Sequence, residues 1–207
     1  DVGGSTTDIM ALCMMKDPQG SSPRLAMVKQ NSIRFAAQRI SQASQYSHRL
    51  RDALLETCQN HGLSFSGLTK GESKYNAGTA PYFFEQVIDR LDEQDLPSLY
   101  RSLHAKCPEL FWVNLYVTGL IMFYAGQLAK KLQVDIAQSP ERVDGNAEWT
   151  PTVNVLFAGK GARIFDWFHA VNKEAARKYY LDLFIEGYGG DIPEGRVRVR
   201  TPAESPE

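Results

Sequence analysis

Two apolar runs, each joined to a glycine-bearing stretch, most constrain what this chain can fold into. The first, Thr7–Met15, follows the string Asp-Val-Gly-Gly-Ser-Thr. The second, residues 152–158, ends in Gly-Lys-Gly. Apolar runs of this length, bounded by turn formers, predict strands. We expect both to be central strands of a sheet, because side chains that point to either face are apolar.

Helical periodicity fills most of the chain between the two runs. Apolar residues recur there at three- and four-residue steps, which predicts amphipathic helices and hence an α/β protein. The predicted elements are a β-hairpin formed by Thr7–Met15 and residues 24–30, helices over residues 33–60, 80–92, 96–106, 109–132, 162–171 and 173–185, the strand over 152–158, and a short edge strand over 196–200.

The composition disfavours several classes of partner. The 207-residue chain has a net charge of -1, so no overall field attracts it to nucleic acid or to an anionic membrane, and we predict neither as a partner. Three scattered cysteines predict buried free thiols in a reducing compartment, which indicates a cytoplasmic protein. Residues 111–129 are apolar, but Asn114, Thr118 and Gln127 interrupt them, so we interpret this segment as a buried helix.

The opening string has the chemistry of a phosphate site. Gly3 and Gly4 allow a tight turn whose successive amides form an anion-binding nest, and Ser5 and Thr6 add hydroxyl donors. A carboxylate beside bound phosphate requires a cation between them, and Mg²⁺ with its retained waters fits, so Asp1 is the candidate metal residue, acting through water. The alternative is a hairpin turn that binds nothing.

The second strand leads into a candidate nucleoside site. Gly159, Lys160, Gly161 and Ala162 lie between its carboxyl end and a predicted helix. Glycines there let a flat ligand approach the backbone, and a helix N-terminus favours anions. Many α/β proteins share this arrangement, so a purely structural turn is the alternative.

Taken together, the two motifs resemble those of the actin/Hsp70/sugar-kinase ATPase superfamily. Its phosphate hairpin reads Asp-x-Gly-Gly-x-Thr-x-Asp and its adenosine motif is a strand, a glycine pair and a helix, in the order found here. The resemblance covers about residues 1–60 and 110–185. Lys160 stands where glycine is commoner in that superfamily, which puts ribose or adenine contacts at this position in doubt.

The resemblance implies a fold, a site and a division of the chain. The fold would be a ribonuclease H-like mixed sheet flanked by helices, with a mostly helical insertion. Asp1 would organise the metal or the attacking water, Gly3 to Thr6 would hold the phosphates of ATP, and Gly159 to Ala162 would line the nucleoside. The implied parts are the phosphate-hairpin part (1–62), the helical insertion (63–108), the adenosine-motif part (109–200) and a disordered tail (201–207).

The resemblance also implies that this is one half of a larger ATPase and is inactive alone. The N-terminal ATPase domain of the same protein would be its first partner, and a protein client or self-assembly a further one. The parent protein would be a chaperone-like or regulatory ATPase, a polymerising ATPase, or a degenerate scaffold without catalysis. An interaction domain with structural glycine turns remains the alternative outside that superfamily. Walker A, G-x-G-x-x-G and G-x-S-x-G motifs do not occur in the sequence.

Overall fold

The computed structural model describes residues 6–15, 24–65, 67–68, 74–138 and 152–204. Within them the chain is a mixed α/β protein in which helices dominate and the strands form two small sheets. The elements are β1 (Thr7–Met15), β2 (Arg24–Ile33), α1 (Gln38–Ala43), α2 (Leu50–Asn60), α3 (Ala80–Arg90), α4 (Leu96–Lys106), α5 (Pro108–Ala137), β3 (Val153–Val155), α6 (Asp166–Val171), α7 (Lys173–Tyr188) and β4 (Val197–Val199).

Strands β1 and β2 form the expected antiparallel hairpin, with Thr7 opposite Ile33. One face of β1 lies against α5, while Met10 and Leu12 on the other face are 55% and 53% exposed. In the described part of the chain β1 pairs with β2 alone. The expectation of a central strand is therefore not met, since β1 has a pairing partner on one edge and protein on one face.

Strands β3 and β4 form the second sheet and are parallel. The chain leaves β3, passes through a 3₁₀ helix (Lys160–Phe165), α6 and α7, and returns as β4, which is a βαβ crossover. The strand predicted over residues 152–158 is confirmed only over Val153–Val155, and β3 is an edge strand of its pair in the described residues rather than a central strand.

Helix α5 is the centre of the molecule. Its 30 residues contact α7, β1 and β2, and the side chains of Asn114 and Thr118 are fully buried within it. By length and composition it is the one described helix that could cross a membrane, yet half of its most apolar window is buried inside the fold. Core helices of globular domains have the same composition, which agrees with the interpretation of this segment as a buried helix.

The prediction of a single long helix over residues 33–60 is wrong. The chain forms α1, a 3₁₀ turn (Ser44–Tyr46) and then α2, because Ser47 has an extended backbone with ψ of 106°. The Ser47 hydroxyl donates to the Glu109 carboxylate, and the Ser41 hydroxyl donates to Glu85 at 2.5 Å. These bonds to distant helices favour the break, and apolar spacing does not reveal them.

One buried cluster draws residues from most of the described helices, while Cys13 of β1 belongs to a second, smaller one. The larger cluster includes Leu54 of α2, Leu99 of α4, Val117 of α5 and Trp167 of α6. The three segments distinguished in the sequence, 1–62, 63–108 and 109–200, thus contribute to a common core in the described residues.

Candidate functional site

The first candidate motif lies almost wholly outside the described residues. Asp1, Gly3, Gly4 and Ser5 belong to that undescribed part, so their assignment to phosphate and magnesium stays a prediction. Thr6 is half-buried and directly precedes β1.

The start of β1 is nevertheless firmly placed. Thr7 is 2% exposed, and its hydroxyl donates to the carbonyl of Phe35 at 2.7 Å. This bond ties the first residue of β1 to the chain just beyond β2. Thr6, the one described residue of the first motif, therefore lies at this end of the hairpin.

The second candidate motif forms a defined turn. Gly159 has a φ of 84°, which favours glycine, and a 3₁₀ helix begins at Lys160. The amide of Ala162 donates to the carbonyl of Gly159 at 3.0 Å and closes the turn. Gly159 and Lys160 are exposed and Gly161 is half-buried, whereas the Ala162 side chain is 2% exposed and belongs to the core.

Helix α5 contacts the segments at the start of β1 and after the glycine turn at neighbouring positions. The side-chain amide of Asn114 donates to the carbonyl of Ile164, just beyond the glycine turn, at 2.8 Å. The carbonyl of Phe35 accepts the hydrogen bond from Thr7. The ring of Phe35 lies edge-on to the ring of Tyr116, with 5.8 Å between the ring centroids. Asn114 and Tyr116 are two residues apart, so the start of β1 and the turn after β3 are attached to one turn of α5, on different sides of it.

The two strands run in opposite directions along α5. Cys13, near the other end of β1, packs with Leu132 and Ile136, so β1 runs the same way as α5. Helix α7 also runs with α5, because Tyr179 donates to the Leu115 carbonyl while Asp191, just beyond α7, pairs with Lys130. A crossover helix runs against the strand before it, so β3 is antiparallel to β1.

A groove of about 520 Å³ separates β1 from β3. Its walls are the consecutive residues 7–14 on one side and 152–158 on the other, and its floor is formed by α5 and α7. Floor side chains include Ile121, Met122, Ala125 and Phe184. Among the described residues that line the groove, Asp8 is the only charged one. The groove is therefore an apolar space, with the start of β1 and the turn after β3 near one end.

Arg163 and the three cysteines are the remaining groups with chemistry of possible functional interest. Arg163, after the glycine turn, forms an ion pair with Glu93. In the described ranges no three His, Cys, Asp or Glu residues are grouped so as to hold a metal ion. Cys13, Cys58 and Cys107 are buried free thiols, as predicted, and burial raises the pKa of each.

A charged cluster near the end of the chain was not predicted. The carboxylate of Glu204 is 8% exposed and lies 3.3 Å from His169, 3.4 Å from Lys173 and 2.5 Å from Arg177. Burial raises the pKa of Asp166, in the same region, to about 6, although the amide of Ala203 donates to it. Lys173 and Arg177, four residues apart on α7, share one helical face and were a partial signal, whereas His169 lies on α6 and was not predictable from spacing.

No family model, no curated protein and no solved structure matches this chain.

Proposed function

We propose that this chain is the Mg-ATP-binding half of an actin/Hsp70-like ATPase, with a ribonuclease H-like fold and the nucleotide held between this half and an N-terminal partner domain. The observation that supports the proposal is the attachment of the start of β1 and of the turn after β3 to one turn of α5. The hydroxyl of Thr7 donates to the carbonyl of Phe35, whose ring contacts Tyr116. The carbonyl of Ile164, just beyond the turn after β3, accepts from the side chain of Asn114. Two sites for different parts of one ligand have to lie at the same end of the fold.

The proposed roles follow from that placement. Gly3, Gly4, Ser5 and Thr6 hold the phosphates, and Asp1 holds Mg²⁺ through water. Gly159 and Gly161 give the nucleoside access to backbone, and Lys160 is exposed beside them. Phosphoryl transfer depends on positioning and electrostatics, so a half-shell of phosphate contacts predicts weak binding and no turnover by this chain alone.

A Mg-ATP titration followed by amide NMR tests the proposal. We expect shifts at Thr6, Thr7 and residues 159–161, half-saturated at about 1 mM or above, and weaker in an Asp1→Asn variant. Gly159→Ala, at a φ of 84°, should weaken them further, whereas Gly189→Ala, strained alike at a φ of 101° but at the end of α7, should not. Absence of shifts at these residues overturns the proposal. Tight Mg-ATP binding with turnover would overturn the claim that this chain is only half of the nucleotide site.

A non-catalytic interaction domain or scaffold is the second candidate, and one observation favours it. The Ala162 amide is already used by the Gly159 carbonyl, and the Ala162 side chain is buried, as in a purely structural turn. The same titration distinguishes the two, because a structural turn predicts no Mg-ATP shifts at residues 159–161.

A further inference from the structure

One side of helix α5 presents large apolar side chains to solvent. Trp112, Tyr116 and Tyr124 are 68%, 63% and 42% exposed, and Leu120 between them is half-buried. Because an α-helix has about 3.6 residues per turn, these four side chains share one face, and exposed charged residues continue that face at both ends. We call it the outer stripe of α5, and it consists of Glu109, Trp112, Tyr116, Leu120, Tyr124 and Lys131.

The other sides of α5 are fixed by contacts within the fold. The side chain of Asn114 donates to the carbonyl of Ile164. Leu132 packs with Cys13 of β1, and α7 lies along a third side. The helix therefore cannot turn the outer stripe inward. A helix that is apolar on all sides is normally covered on all sides, which indicates that the outer stripe is a contact surface.

The charges at the ends of the outer stripe identify the partner. Glu109 and Lys131 are both exposed, and each is eleven positions from Leu120, or about 16 Å along the helix. Tyr116 and Tyr124 are each four positions from Leu120. If two copies pair antiparallel about a twofold axis at Leu120, Glu109 of each copy meets Lys131 of the other, and Tyr116 meets Tyr124 in the same way. The outer stripe is thus complementary to itself, as an interface with twofold symmetry requires.

We propose that the outer stripe binds the outer stripe of a second copy of this chain, antiparallel, with Leu120 of both copies at the twofold axis. Between Glu109 and Lys131 the stripe is about 33 Å long and about 10 Å wide, so each copy buries roughly 330 Å². This area is smaller than the roughly 800 Å² per partner of a standard interface, so we expect a weak dimer with a dissociation constant of about 10 µM or higher.

A lipid surface suits the outer stripe less well than a second copy does. Helices that lie on membranes carry several cations beside their apolar face. The outer stripe carries one cation and one anion, at opposite ends, and the whole chain has a net charge of -1. The inference does not depend on nucleotide binding, so it and the Mg-ATP titration succeed or fail separately.

Sedimentation of the whole chain at concentrations from about 1 to 500 µM tests the dimer. We expect the mean mass to rise from that of the monomer toward twice that value. Lys131→Glu opposes two carboxylates at each end of the contact and should weaken the dimer about tenfold or more. Glu109 is left unchanged because it also accepts a hydrogen bond from Ser47 within the chain. Lys178→Glu is the matched control, because it makes the same charge change on the side of α7 that faces away from α5.

Cysteine cross-linking tests the register of the two helices. Leu120→Cys places two thiols together at the twofold axis, so oxidised glutathione should join the copies by a disulfide. Lys131→Cys is the control, because its two thiols lie about 33 Å apart in an antiparallel pair and meet only in a parallel one. Cys13, Cys58 and Cys107 are buried and therefore do not compete.

A chain that stays monomeric at about 500 µM overturns the proposal. Sedimentation of that monomer with vesicles of phosphatidylcholine and phosphatidylglycerol would assign the outer stripe to a lipid surface, and its failure to do so would leave a different protein as the occupant. A Lys131→Glu protein that dimerises like the Lys178→Glu protein would overturn the antiparallel pairing. Cross-linking through Lys131→Cys rather than through Leu120→Cys would overturn it as well.

Discussion

Gly126 of α5 and Gly187 of α7 lie against each other, backbone to backbone. A Cβ atom on Gly126 would meet the carbonyl oxygen of Phe184, and one on Gly187 would meet that of Phe123, both far inside van der Waals contact. The two helices therefore pack closely along the floor of the groove only because neither residue has a side chain. This contact fixes how the β3–β4 crossover sits against the central helix.

Gly187→Ala should destabilise the fold by about 2 kcal/mol or more, because the added methyl meets backbone that cannot rotate away. Helix propensity alone favours alanine by about 1 kcal/mol, so a loss would identify the clash as its cause. Gly195→Ala is the control, since its added Cβ meets nothing within 4 Å. Urea unfolding measures both, and a Gly187→Ala protein as stable as the Gly195→Ala protein would contradict the close packing.

Asn114→Ala should lower the free energy of unfolding by about 1–3 kcal/mol, because the carbonyl of Ile164 loses its buried hydrogen-bond donor. The glycine turn after β3 should loosen as well, which faster amide exchange at residues 159–165 would report. Asn31→Ala is the matched control: Asn31 is exposed, and its side chain accepts a hydrogen bond from the amide of the neighbouring Ser32. Unfolding free energies of the two variants that agree within error would show that Asn114 does not anchor the turn.

Asp166 makes stability fall as pH rises between about 4 and 6. Burial raises its pKa from 3.8 to about 6, so in this window the folded state binds more proton than the unfolded state. Asp166→Asn removes this titration and keeps an oxygen for the Ala203 amide. We expect the unfolding free energy of wild type, relative to the variant, to drop through that window by at most about 3 kcal/mol and then stay level. A pH-independent difference would count against the raised pKa.

Glu204 acts with the opposite sign. Burial alone would raise its pKa, but Arg177, the Thr201 amide and Lys173 outweigh this and lower it. Its contribution is therefore present above the ordinary glutamate pKa of 4.5 and is lost as pH falls through the lower folded-state value. Glu204→Gln should lower the free energy of unfolding by about 1 kcal/mol at pH 7, and this difference should vanish in acid.

The exposed Glu194 supplies the control for that prediction. Glu194→Gln changes the same net charge, so it should leave the thermal midpoint nearly unchanged at both pH values. A loss at pH 7 that persists undiminished in acid would mean that the Glu204 ion pairs are not its source. Added salt should reduce the Glu204→Gln effect, because Lys173 and Arg177 are about half exposed.

Three helices between residues 80 and 137 were predicted well because local signals suffice for them, whereas the helix predicted over 162–171 is α-helical only over Asp166–Val171. Pro81, Pro97 and Pro108 each stand in the first turn of a helix, and regular apolar spacing follows. The predicted helices over 80–92, 96–106 and 109–132 are confirmed as α3, α4 and α5. The break at Ser47 was missed because it depends on Glu109, which lies 62 positions away.

The candidate site was predicted only in its local part. The glycine turn at Gly159 and the hairpin of β1 with β2 are both visible in the sequence, since turn chemistry is local. Their attachment to one turn of α5 was not, because it depends on contacts of Asn114 and Phe35 with residues that are distant in the chain. The chemistry assigned to Asp1, Gly3, Gly4 and Ser5 remains a prediction.

The sequence by itself determined the mixed α/β composition, the hairpin, the buried thiols and the apolar central helix, because each depends on residues within a few turns of one another. Only the tertiary structure decided that β1 and β3 stay in separate sheets across a groove, and that Glu204 meets His169, Lys173 and Arg177. Those relationships join segments up to about 150 residues apart, and their energy comes from shared burial and backbone contact between helices. The spacing of residues along the chain does not reveal such contacts.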